Sequence, residues 1–132
     1  MNTRMMQIEF GETDSFRKDI ERLLKKFRSL EEDLETVKKA AIELYHLKRV
    51  DNRSIFPIPG FCTDKIQICK IKKFACKTLK GRGVQSGMRV IYAFHLAIPK
   101  VVFIEIYFKP DQTNEDQARI KDYLKNEGAQ NG

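Results

Sequence analysis

The hydrophobic period of this chain changes from helical to alternating at Lys65, and that change fixes the class of fold. Phe16, Ile20, Leu23, Leu24 and Phe27 recur at helical spacing, and Leu34, Val37, Ala41 and Leu44 make a second stripe widened by Ile42 and Tyr45. From Lys65 the period is two: Ile66 and Ile68 alternate with Lys65 and Gln67, and residues 88–96 and 101–108 read as strands. Helices followed by strands predict an α+β domain. The expected architecture is an antiparallel-rich sheet packed on a helical hairpin and a C-terminal helix. A short N-terminal strand at 7–10 and a three-strand C-terminal meander make up that sheet. One domain over 1–132 is expected, with 1–5 and 126–132 as frayed tails.

Local signals set the expected boundaries. Gly11 ends the first strand, and Thr13 or Asp14 caps the first helix. Ser29 followed by Glu32 matches a capping box for the second. Its acidic start and basic end, with His46 among the closing cations, suit the helix dipole. Pro57, Pro59 and Gly60 make 51–64 a loop. Ile71 breaks the alternation, which predicts a bulge near Cys69 and Lys70. Gly81, Gly83 and Gly87 mark a turn, and the nearly unbroken apolar run at 101–108 predicts a strand covered on both faces. Thr113 or Asn114 is the expected cap of the last helix.

Charge is distributed unevenly over this plan. Residues 65–109 hold ten Lys and Arg against one acid, Glu105, so 10 − 1 gives +9; the rest of the chain holds fifteen bases and seventeen acids, giving −2. Helices are expected on one sheet face, leaving the bases on the other as a surface for a polyanion, nucleic acid above all. Cys62, Cys69 and Cys76 form no close pair with each other or with histidine, so reduced thiols and no metal are expected. The longest apolar run is too short to span a bilayer, and the N-terminus lacks a signal-like stretch, which predicts a cytoplasmic protein.

The string GMRVIYAFHLAIPKVVFIEIYFKPDQTNEDQARIKDYL at 87–124 resembles the C-terminal half of toxins of the RelE/ParE superfamily. It shares their Arg-Val-Ile-Tyr strand, here residues 89 to 92, a tight turn, a hydrophobic strand and a strand-end lysine, here Lys109. The order of short strand, helical hairpin and basic strand agrees as well. The resemblance implies the toxin of a type II toxin–antitoxin pair, with a cognate antitoxin as partner and no cofactor. RelE-like members cleave mRNA in the ribosomal A site, whereas ParE-like members inhibit DNA gyrase. Fold alone does not separate these two, nor a plain RNA-binding module.

Metal-free RNA cleavage needs a base for the 2′-hydroxyl, a stabiliser of phosphorane charge and an acid for the 5′ leaving oxygen. Arg89 is the expected stabiliser, its planar donor fork suiting phosphate, with an ion pair to Glu105 as its rival role. His95 shares strand parity with Arg89 and is a candidate acid or base. Lys70, Lys72 and Lys73 crowd the first basic strand; the resemblance implies RNA binding for Lys70 and Lys73 and a part in proton abstraction for Lys72. A solvated edge explains them equally. Lys77, Lys80 and Arg82 carry the charge into the glycine turn, and Lys109 is implied at the active edge. The arginine and tyrosine usual after that lysine in RelE-like cleavers are missing from 110–116.

Overall fold

The computed structural model describes residues 7–131, with side chains described through 127. Five strands form one mixed sheet. They are β1 (Glu9–Glu12), β2 (Ile55–Pro57), β3 (Ile66–Ile71), β4 (Met88–His95) and β5 (Lys100–Phe108), in the order β1-β5-β4-β3-β2. β1 runs parallel to β5, and the other neighbours pair antiparallel. The helices are α1 (Asp14–Leu24), α2 (Leu30–Val37), α3 (Leu44–His46) and α4 (Gln117–Asn131), with a π-helical segment, Lys38–Glu43, joining α2 to α3. The expected α+β class holds. The tail at 1–5 lies outside the described residues, while the residues from 126 to Asn131 continue α4. Among the described residues no helix is long and apolar enough to cross a membrane.

The sheet is covered on both faces. Phe16, Ile20, Phe27, Leu30 and Ile42 pack against Ile71, Val90, Tyr92 and Phe103 on one side. Ile58 and Ile120 pack against Ile68, Ile91, Ala93 and Ile104 on the other. Full burial of one such side chain contributes about 1.5–3 kcal/mol. The expectation of a bare, basic second face is therefore corrected: α4 and the segment around Ile58 occupy most of it.

Local signals were met unevenly. Thr13 caps α1, its Oγ1 accepting from Phe16 N at 3.1 Å. The capping box does not form. The Ser29 hydroxyl instead donates to Asp33 Oδ2 at 2.7 Å and shares a hydrogen bond with Thr78, and Glu32 pairs with Lys77. Asp116, not Thr113 or Asn114, holds the start of α4, its Oδ1 accepting from Ala118 N at 3.0 Å.

β2 lies inside the expected loop. Pro57 fits there because an edge strand tolerates a missing N–H. β3 has no bulge. Ile66 and Ile68 face α4 while Cys69 and Ile71 face α1 and α2, so the broken alternation marks a strand buried on both sides. The irregularity falls between Ile91 and Tyr92, which pair with Glu105 and Phe103 and leave Ile104 as the extra residue of β5.

Past Phe103, β1 no longer lines β5, and Asp19 of α1 takes over that edge. Its carboxylate, in a residue only 3% exposed, accepts the Ile106 N–H at 3.2 Å. Arg119 reaches over from α4 with bonds of 2.7 and 3.0 Å to the same carboxylate and 3.0 Å to the Ile104 carbonyl. This clamp ties the two helical layers across the strand between them.

Candidate nucleic-acid interface

One corner of the α4 face carries charge, at the N-terminal end of that helix. Side chains of residues paired directly across strands share a face. Phe56 pairs with Lys70, Lys70 with Ile91, and Arg89 with Tyr107, so Phe56, Lys70, Arg89 and Tyr107 share the α4 face in two adjacent cross-strand rows. Phe56 is 38% exposed, a large ring at the surface, and Lys72 Nζ stands 4.7 Å from its centroid. That distance is a cation–π contact.

Arg89 is half-buried and fixed by backbone rather than by an acid. Its Nη1 donates to the Lys72 carbonyl at 3.0 Å and the Met88 carbonyl at 3.3 Å. The rival pairing with Glu105 does not occur. Glu105 is buried and accepts from Gln112 Nε2 at 2.7 Å and Asp116 N at 2.8 Å. Among the described residues Arg89, Lys72, Lys73 and Lys109 make no ion pair, so their charge faces outward. Lys73 is exposed beside Lys72, and Lys109 is exposed at the end of β5, its N–H bonded to Gly87 O at 2.8 Å next to the start of β4.

Lys70 is differently employed. Its Nζ lies 2.5 Å from Glu115 Oε1, with both side chains largely buried. This close ion pair sets the Lys70 ammonium against the buried Oε1 and compensates its charge. Burial opposes the Glu115 charge, yet Lys70, the residue's own N–H and the Tyr107 hydroxyl outweigh it and hold the carboxyl below its usual range. Tyr107 is pushed up to about 12 by burial and by the carboxylates of Glu115 and Glu105.

The remaining expected residues lie elsewhere. Lys77 pairs with Glu32, and its N–H donates to the Asp33 carboxylate, which fixes the glycine-rich loop to α2 on the opposite layer. Lys80 and Arg82 continue that loop, exposed, with Arg82 between Gly81 and Gly83, both at positive φ. His95 shares the face of Arg89 but sits at the other end of β4, about 20 Å away at the usual strand rise. Its Nε2 meets the Tyr123 hydroxyl at 2.6 Å, and burial lowers its pKa. The expected partnership of Arg89 and His95 is thus corrected: parity places them on one face and distance parts them. His46 is not a helix-end cation. It stacks on Phe94 at 3.8 Å, meets the Tyr92 hydroxyl at 2.7 Å, and is held down to about 4 by burial.

Sequence reasoning missed Phe56 and Glu115, and for Tyr107 it favoured core packing over stacking on a base. An aromatic residue beside a proline was the one available sign of the first. Glu115 has no local sign, because Lys70 is distant in the chain.

No family model and no curated protein matches this sequence. One solved structure similar to it is the archaeal RelE–RelB complex from Pyrococcus horikoshii OT3, at 12% identity and a TM-score of 0.48, covering 79% of this chain and 97% of that one. At that level the likeness places the chain in no family and carries no argument about what it does.

Proposed function

We propose that this chain binds RNA at the Arg89 corner and cleaves mRNA on the ribosome, as the toxin of a type II toxin–antitoxin pair. One observation carries the binding. The Arg89 guanidinium is held by carbonyls, free of any carboxylate among the described residues, beside Lys72 and the exposed Phe56 ring. Outward cations suit phosphates, and an exposed ring suits an unstacked base. The sequence resemblance over 87–124 supplies the reaction class and the partner, an antitoxin that would mask this corner. Lys72, Lys73 and Lys109 bind the backbone in this reading, and Arg89 stabilises charge on the scissile phosphate.

Induced expression with two readouts tests it: primer extension on translated mRNA, and plasmid supercoiling. Cleavage by the parent, lowered about 10²–10³-fold by Arg89→Ala, is expected for loss of one preorganised donor. An Arg89→Ala protein as active as the parent refutes the role of that residue. Supercoiling loss with intact mRNA replaces cleavage by gyrase inhibition, and the absence of both effects refutes the toxin reading.

A further inference from the structure

Metal-free scission of RNA requires a group that takes the 2′-hydroxyl proton. His95 is too far along β4 to serve the Arg89 corner, and His46 lies on the other sheet face among Tyr92 and Phe94. The residues grouped at the corner are Phe56, Lys70, Lys72, Arg89, Lys109, Tyr107 and Glu115. Lysine, arginine and tyrosine carry their protons at neutral pH as classes, whereas a carboxylate is ready to accept one. Glu105 shares that face but is buried with both carboxylate oxygens accepting hydrogen bonds, from Gln112 and Asp116, which leaves Glu115 as the group equipped for the task.

Its surroundings fit. Lys70 seals Oε1 at 2.5 Å, and the Glu115 side chain keeps a tenth of its surface exposed beside the Arg89–Tyr107 pair. Resting on the RNA-cleaving reading above, we infer that Glu115 accepts the 2′-hydroxyl proton, with Lys70 and Tyr107 as positioning residues that fix its carboxylate. The 2′ oxygen then bonds to phosphorus, the bond from phosphorus to the 5′ oxygen breaks, and that oxygen takes a proton from water. The products are a 2′,3′-cyclic phosphate and a 5′-hydroxyl. The proton on Glu115 returns to solvent.

A simple counter-ion for Lys70 would make different predictions. The experiment follows cleavage of a labelled mRNA on programmed ribosomes against pH, with affinity for a short labelled RNA measured alongside. For Glu115→Gln we expect cleavage lowered about 10²–10⁴-fold, as for loss of a general base, with RNA affinity unchanged or tighter. The wild-type rate should fall at acid pH as the carboxylate protonates, and the residual Glu115→Gln rate should lack that limb. Glu115→Asp, which keeps the charge should the amide variant fold poorly, should cleave with its acid limb displaced; an unmoved limb overturns the assignment. Wild-type cleavage with Glu115→Gln within about threefold of it overturns Glu115 alone. A parallel loss of RNA affinity assigns Glu115 to structure and overturns the inference. An inactive wild type overturns the cleavage reading and this one together.

Discussion

Arg119→Ala is expected to unsettle the fold more than its half-exposed position suggests. It removes bonds of 2.7 and 3.0 Å to Asp19, whose side chain is 4% exposed, and a bond of 3.0 Å to the Ile104 carbonyl. Asp19 would keep the Ile106 N–H at 3.2 Å and Arg22 at 3.4 Å, a partner 59% exposed. Stripping one partner from a buried pair costs about 3–5 kcal/mol. Arg119 is itself 27% exposed, so screening reduces this to about 2–3 kcal/mol. With a urea m-value of about 1.5 kcal/mol/M for this size, the midpoint should fall by roughly 1.3–2 M. Replacing both partners by leucine should recover about half the loss, since no lone charge stays buried. A midpoint for Arg119→Ala within about 0.3 M of wild type would show that the clamp does not hold α4 to α1.

Three further outcomes are expected. Phe56→Ala should weaken binding of a short single-stranded RNA by about 1–3 kcal/mol in a fluorescence titration while leaving the unfolding midpoint nearly unmoved. Lys72→Ala should lower affinity for all sequences and reduce the salt slope by about 1, whereas Lys77→Ala, cut from Glu32 on the other layer, should leave both unchanged. The folded His46 pKa of about 4 lies below its unfolded value near 6.5, so the unfolded chain binds the extra proton between them. Stability should therefore fall as pH drops from about 6.5 to 4, and His46→Phe should flatten that part of a urea-midpoint-against-pH curve.

Much of the architecture was legible because its causes are local. The stripe of Phe16, Ile20, Leu23 and Phe27 is buried, and the covered strand at 101–108 is β5. What was illegible depended on distant partners. The Ser29 hydroxyl accepts from the Thr78 N–H, 49 residues on, and donates to the Asp33 carboxylate instead of capping a backbone N–H of the turn that follows it. Lys70 answers to Glu115, and β2 exists because β3 offers it a ladder despite two prolines nearby. At the corner, Arg89, Lys72 and Lys109 were legible from charge and strand order. The separation of His95 was available from the strand rise but not from parity. The basic face was misjudged because the amphipathicity of α4 does not say which sheet face it covers.

The parallel pairing of β1 with β5 bears on how the chain emerges during synthesis. Glu9 awaits Lys100, and Asp19 awaits Arg119. The apolar stripes of α1 and α2 must therefore leave the exit tunnel long before the strands that shelter them exist. Non-local pairing of this kind slows folding and prolongs exposure of apolar surface. The nascent first half is thus the stage most open to chaperones and proteases, and the Arg89 corner cannot assemble until Glu115 has been made.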